Sequence, residues 1–360
     1  MEDTRIEQDN TPQPEHKRRV RYSGKYPKKF SEKYKELNPE KYGEEIAHVL
    51  AKGNTPAGTH IPIMVQEING ILQVKPGEVG VDCTLGYGGH SRSFLDALQG
   101  RGHLYSCDID TLEFGKTVER LRKAGYGEDL WTPVQMNFSD IDILAQEVGG
   151  FDFVLADLGV SSMQIDNPER GFTYKAEGPL DLRMNPESGV PAWQRLLELT
   201  KGELAALLED NGDEPYAEEI ADQIVSSLHR GVAIVTTRAL YREVEQALLK
   251  VNMGRMERKE MLKKSAARVF QALRIDVNGE FDALLNLMQK LPGALKPGGR
   301  AAILTFHSGE DRIVKKAFKE LWKAGVYSQV ARDVIRAGKE ECYANSRAKP
   351  AKLRWAIKPK

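Results

Sequence analysis

Gly86-Tyr87-Gly88-Gly89-His90-Ser91 is the stretch of this chain best suited to hold a small ligand. It follows an apolar run at 79–83 and opens a helical pattern at 91–98. Strand, glycine turn and helix in that order build a nucleotide-sized site. Glycine lets the backbone bend sharply, and the helix start presents unpaired N–H groups. The turn departs from the dinucleotide form G-x-G-x-x-G, because its sixth residue is Ser91. Apolar runs end in acid at Asp82, at Asp108-Ile109-Asp110 and at Asp157. The second lies roughly 20 to 25 residues past the turn, where a carboxylate can accept both ribose hydroxyls. Three strand-end carboxylates on one sheet edge disfavour a pyrophosphate and suit a cation. S-adenosylmethionine, with its sulfonium and α-ammonium, fits such a pocket better than a nicotinamide dinucleotide does. The reading is methyl transfer, with a nucleotide-dependent reductase as the alternative. Taken singly, each of these aspartates is also a candidate helix N-cap.

A sheet must hold these residues. Strand patterns at 79–83, 103–109, 131–136 and 151–157 alternate with helical patterns at 91–98, 112–124 and 141–148. That alternation predicts an α/β fold with a parallel, doubly wound sheet. Residues 60–72 read as a short helix leading in. From about 166 to 261 only helical spacing is found (193–199, 201–208, 216–228, 237–249), with Thr200 and Thr236 or Thr237 as caps. This stretch is expected to be an inserted helical subdomain. Residues 253–264 read as a basic connector, and helices resume at 266–275 and 281–291. A turn at 296–299, a buried strand at 300–306, a helix at 311–323 and a strand pair at 327–332 and 352–357 complete the pattern. The expected organisation is a basic N-terminal extension (1–58), a Rossmann-like domain (59–165 and 262–360) and the insertion (166–261).

Net charge is zero, but its distribution is uneven. Residues 17–35 hold nine Lys/Arg and one acid, Glu32, and the last thirty residues hold nine Lys/Arg against Asp333, Glu340 and Glu341. Basic ends on a neutral chain suggest a polyanionic partner, a solvated tail being the plainer alternative. Residues 39–51 have the spacing of one short helix, and 53–58 read as a linker. Cys83, Cys107 and Cys342 form no C-x-x-C and no even framework, which fits a reducing cytoplasm. No signal peptide is visible, no run approaches a membrane span, and the histidines lack metal spacing, so neither membrane nor metal is expected.

Several stretches taken together resemble the RsmH (MraW) family. They are 84–91 (TLGYGGHS), 157–162 (DLGVSS), 169–172 (ERGF), 178–184 (GPLDLRM) and 268–275 (RVFQALRI) with Val277, Asn278 and Glu280. To these add 295–300 (LKPGGR) and Phe306-His307-Ser308 with Glu310, Asp311 and Arg312. They run in family order from about 59 to 357. The resemblance implies a class I methyltransferase with a helical insertion and S-adenosylmethionine as donor. The implied acceptor is the N4 amine of a cytidine of 16S rRNA, in the small subunit near the P site. It carries cofactor contacts to Gly88, Gly89, His90, Asp108, Phe138, Asp157 and Gln164. Gly309 stands where the family has leucine, Asn345-Ser346-Arg347-Ala348-Lys349-Pro350 alters the family's Asn-Pro-Arg-Ala-Arg-Ser, and residues 1–58 have no counterpart in the minimal family sequence.

A cytosine amine is a poor nucleophile, because its lone pair is delocalised into the ring. Asp157, or the carbonyls of Leu158 and Gly159, is the expected N4–H acceptor, with Ser161, His307 and Ser308 beside the target base. Arg183, Arg274, Asn278, Lys263 and Lys264 are the candidate RNA contacts, Arg274 and Asn278 being equally suited to bracing the insertion. The protein is expected to be cytoplasmic, a monomer or a homodimer. The alternatives are methylation of another RNA or DNA amino group, or a non-catalytic ribosome-assembly factor.

Overall fold

A computed structural model describes residues 62–360. The basic extension, the helix read at 39–51 and the linker at 53–58 lie outside the described residues. Helix α1 (Val65–Leu72) leads into a sheet of seven strands ordered β3-β2-β1-β4-β5-β7-β6. The strands are β1 (Val79–Asp82), β2 (His103–Asp108), β3 (Trp131–Gln135), β4 (Phe151–Asp157), β5 (Leu295–Thr305), β6 (Gln329–Val330) and β7 (Lys352–Ile357). The first five pair in parallel, and β7 pairs antiparallel with both β5 and β6. Crossovers are made by α2 (Gly89–Leu98), α3 (Thr111–Lys123) and α4 (Ile141–Val148).

Side chains along β4 alternate between the two faces, as a strand requires. Phe153 and Leu155 join Phe94, Leu98 and Trp131 on one face; Val154 and Ala156 join Ile141, Leu144 and Leu287 on the other. Gly80 on β1 has no room for a side chain, since a Cβ there would lie 2.1 Å from the Phe153 ring. The turn expected at 296–299 interrupts the β4–β5 register between Phe151 and Phe153, so β5 begins at Leu295 and bulges before pairing regularly from Arg300.

After β4 come α5 (Ser162–Asp166), α6 (Ala192–Glu198), α7 (Lys201–Gly212), α8 (Ala217–His229), α9 (Thr237–Leu249), α10 (Arg255–Asn278) and α11 (Glu280–Ala294). Thr200 caps α7 in a capping box with Glu203, and Thr236 caps α9. The residues read as a basic connector differ: they form the first half of one 24-residue helix, α10. Arg258 explains this. Its guanidinium donates to the carbonyl of Leu248, in the last turn of α9, and to those of Val251 and Met253 just beyond it. Helix α10 therefore crosses residue 262, and Leu262, Val269, Phe270 and Leu273 pack with Leu204, Ile220 and Val244 of the helical cluster. Helix α12 (Ser308–Lys323) follows β5, and the short α13 (Lys339–Ala344) lies between β6 and β7.

Candidate active site

Strand order reverses between β1 and β4, and a cleft of about 390 Å³ opens on their carboxyl edge. Doubly wound sheets place ligands at that position. The glycine turn forms one wall. Gly86 N donates to Asp108 Oδ2 at 2.7 Å, which closes the turn onto the end of β2. From behind, Thr117 Oγ1 donates to Gly86 O at 2.6 Å, and Arg120 donates to Tyr87 O at 3.1 Å with its guanidinium over the Tyr87 ring. Gly88, at φ 75°, is the N-cap of α2, and a Cβ there would lie 2.8 Å from Leu121 Cδ1. Gly88 therefore lets α3 approach the back of the turn and does not line the cleft. Gly89 does line it, and its bare Cα makes room for Pro62.

Asp108 also accepts from Asp110 N at 2.9 Å. Burial pushes its carboxyl up, and the main-chain amides of Asp110 and Gly86 offset part of that rise. Asp110 is the N-cap of α3, its Oδ1 accepting from Leu112 N and Glu113 N. Its Oδ2 accepts from Gln164 Nε2 at 2.6 Å and from Arg170 Nη1 at 2.9 Å. The other end of the Arg170 guanidinium donates to the carbonyls of Arg183 and Met184 at 3.2 and 2.8 Å. Asp110 and Arg170 are both buried. Together they tie the end of β2 to α5 and to the loop that presents Met184 to the cleft.

Strand β4 ends at Asp157, whose backbone N donates to Thr84 Oγ1 at 2.8 Å. Asp157 Oδ2 lies 3.6 Å from His90 Nε2. Asp157 Oδ1 and both ring nitrogens of His90 are buried without a hydrogen-bond partner. Buried polar atoms are normally paired, so orphans grouped in a cleft are where a ligand completes the set. Phe138, in the turn after β3, and Leu284 of α11 add apolar wall. A cationic, ribose-bearing donor with an aromatic base fits this combination.

The opposite wall is braced. Ser161 caps α5, accepting from Gln164 N, while Gln164 Oε1 accepts from Ser161 N at 2.6 Å. Both residues line the cleft with side chains already committed to this box. Leu182 adopts a left-handed φ of 65°, strained for a branched residue. Asn278 holds it there, donating to Leu182 O and accepting from Met184 N at 2.8 and 2.7 Å. Arg274 forms a two-pronged pair with Glu280 at 2.7 and 2.9 Å. The bracing alternative thus describes Arg274 and Asn278, although both also line the cleft. His307 lines it too, with Nε2 3.1 Å from Glu310 Oε1. Burial pushes the Glu310 carboxyl up, but His307, the Phe306 amide and Arg274 outweigh it and hold the group below the usual range. Gly309 is packed rather than loose: the Phe281 ring fills its space, 2.5 Å from where a Cβ would stand.

Other expected residues stand elsewhere. Ser308 Oγ donates to Asp213 Oδ2 at 2.6 Å, and Arg312 pairs with the same carboxylate, so Ser308 fastens α12 to the end of α7. Arg183 forks onto Asp181. Lys263 is exposed, and Lys264 pairs with Glu260 on the outer face of α10. Asp82 corrects the expectation of three carboxylates in one pocket. It is fully buried behind the turn, accepting from Ser91 Oγ at 2.7 Å and Thr84 N at 3.1 Å. Asp110 and Glu310 line the cleft instead. Among the described residues no group of three or more His, Cys, Asp or Glu is placed to hold a metal.

Burial pushes the Asp82 carboxyl from 3.8 up to about 6, against the Ser91 hydrogen bond, His90 and the Thr84 amide, which lower it. A raised folded-state value means that protonation favours the fold. Asp82 therefore costs stability as pH rises from 3.8 through 6, by roughly 3 kcal/mol at the upper end. Asp82→Asn is expected to raise the urea midpoint at pH 7 and to lose that advantage near pH 4. A variant equally unstable relative to wild type at both pH values would contradict this sign.

The sheet order, the glycine turn joined to the end of β2 and the orphaned carboxylate at the end of β4 define a class I methyltransferase, the class that uses S-adenosylmethionine. Residues 57–359 match the model of the MraW methylase family, and the chain belongs to that family. It is 58% identical to ribosomal RNA small subunit methyltransferase H 1 of Agathobacter rectalis, over 96% of this chain and 98% of that one. It is 55% identical to the protein of the same name from Lachnoclostridium phytofermentans, over 96% and 94%. Ribosomal RNA small subunit methyltransferase H of Acidobacterium capsulatum is 37% identical and covers 83% of this chain, although 98% of that relative is matched. The first two matches leave only 4% of this chain outside, so most of residues 1–58 have counterparts there.

Proposed function

We propose that this protein methylates the N4 amine of a cytidine in small-subunit ribosomal RNA, near the P site, and that it works in the cytoplasm as a monomer or a homodimer. The observation that carries the reading is the Asp157 carboxylate, half orphaned at the floor of a donor-sized cleft. The names of its relatives support ribosomal RNA as the acceptor.

S-adenosylmethionine, when bound, supplies an electrophilic methyl on a sulfonium. Asp108 would receive its ribose hydroxyls, and Phe138 would stack on its adenine. The Gly86–His90 turn accommodates the methionine end. The Asp157 carboxylate accepts an N–H of the cytosine amine, and as the methyl leaves sulfur for N4 the surplus N4 proton would pass to this carboxylate. That hydrogen bond draws the nitrogen lone pair out of conjugation and turns it toward the methyl, and most of the rate comes from such positioning. Leu158 and Gly159 offer carbonyls for the second N–H. The braced 181–185 loop and the His307 turn hold the base, which leaves its stack to enter. Residues 21–42 support an RNA partner independently. Basic-aromatic pairs recur there every four residues (Arg21-Tyr22, Lys25-Tyr26, Lys29-Phe30, Lys33-Tyr34) and again at Lys41-Tyr42. Cations for phosphates beside rings for bases are the composition of single-strand binders.

The test incubates the full chain and labelled donor with unmodified small subunits, naked 16S RNA or DNA. Label in N4-methylcytidine of the RNA or subunit is expected. Label confined to DNA, or to another amino group, would replace this reading by a methyltransferase of a different acceptor. Donor binding without any transfer would leave the assembly-factor alternative.

A further inference from the structure

Between β6 and β7 the chain makes an excursion at 331–351. Because β7 runs antiparallel to β5, its first residue, Lys352, lies opposite Thr305, at the carboxyl edge of the sheet. The excursion therefore sits on the edge where the cleft opens, and Asn345, Arg347 and Pro350 line it. It is fastened at two points. Glu341 Oε1 accepts from Met64 N at 2.8 Å, which ties α13 to the start of α1. Arg347 pairs with Asp166, at the end of α5, also at 2.8 Å.

On this anchored helix Tyr343 is 91% exposed, while other large apolar side chains described as exposed range from 42% to 80%. Nothing in the packing of α13 uses its ring. Lys339 stands one turn earlier on the same helix face. Arg332, Arg336, Lys339 and Lys349 are exposed here, against exposed Asp333 and Glu340, so the surface carries a surplus of positive charge. An exposed aromatic ring beside cations, two residues before Asn345 on the cleft wall, has the chemistry of a stacking platform for unpaired RNA.

We propose that Tyr343 is a docking platform on which a base flanking the target nucleotide stacks, while Lys339 and Lys349 take the adjoining phosphates. This rests on the RNA reading above and adds a surface outside the cleft. Tyr343 is not a catalytic residue; its contribution lies in binding.

The test uses the full chain with unmodified small subunits. For Tyr343→Ala, KM for the subunit is expected to rise about tenfold to a hundredfold, the range set by one lost stacking contact. Turnover at saturation and donor affinity should stay within about twofold of wild type, and Tyr343→Trp should restore KM. Lys339→Ala should flatten the salt dependence of subunit binding by about one unit of log–log slope. An unchanged KM for Tyr343→Ala overturns the proposal, as does a loss confined to turnover. Subunit binding read by filter retention without donor separates this from the wider reading. A wild-type chain that binds without methylating overturns the proposed activity, and the Tyr343→Ala affinity still decides the platform. A wild-type chain that does not bind subunits overturns both.

Discussion

Asp157→Ala is expected to lower turnover by about a hundredfold to a thousandfold, the cost of removing one preorganised polar group from the proposed reacting centre. The side chain makes no hydrogen bond within the protein through Oδ1, and its Oδ2 faces only His90, at 3.6 Å. The fold therefore loses little with it. The strand end stays in place, because the contact to Thr84 runs through the Asp157 backbone N. Far-ultraviolet circular dichroism and the urea midpoint are expected to match wild type. Asp157→Asn retains one acceptor oxygen and is expected to fall between the two. Single-turnover transfer with donor and subunit both saturating reads the effect on the chemical step. Near-normal turnover for Asp157→Ala would remove this residue from the reaction.

The second large effect is on stability. Asp110→Ala strands the Arg170 guanidinium, 6% exposed, without its carboxylate. Breaking a buried pair on one side costs about 3 to 5 kcal/mol, because the remaining charge stays desolvated. The N-cap bonds to Leu112 and Glu113 are lost as well, which adds about 1 kcal/mol. Arg170→Met is expected to be almost as damaging. The double variant Asp110→Ala/Arg170→Met leaves neither charge stranded and should lose at least about 2 kcal/mol less than the sum of the two single losses, a coupling that urea unfolding of all three variants measures. Strictly additive losses would contradict a directly coupled pair. The refolded double variant should still methylate slowly, about tenfold or more below wild type, since Gln164 and the Met184 carbonyl lose their common holder and small misplacements are costly in catalysis.

The two effects concern groups of unequal legibility. Asp157 could be read because β4, 151–157, is a short apolar run ending in acid with glycine two residues on. Parallel strands buried on both faces have that look. The glycine turn was legible for the same reason, being a strong local signal. In the sequence Asp110 reads only as the second acid of a strand end. What makes it a hub is Arg170, sixty positions away and brought near by α5, a contact that no local pattern announces. Asp82 misled because a strand-end acid can turn behind its loop as easily as toward a ligand. A hydroxyl partner nine residues on, Ser91, decided the matter. The first half of α10 reads as a connector because its surface is basic, and no local pattern announces Arg258 reaching back to carbonyls at the end of α9 and just beyond. The exposed ring of Tyr343 had no sequence signature; burial alone reveals it.

The central claim is that this cleft methylates the N4 amine of one small-subunit cytidine. Mass mapping of nuclease fragments of small-subunit RNA, from cells with and without this gene, tests it most directly. One fragment from near the P site is expected to lose a single methyl, about 14 Da, from its cytidine when the gene is removed, and to regain it with the wild-type chain but not with Asp157→Ala. Identical fragment masses in the two strains, or a methyl lost from a different base, would contradict it.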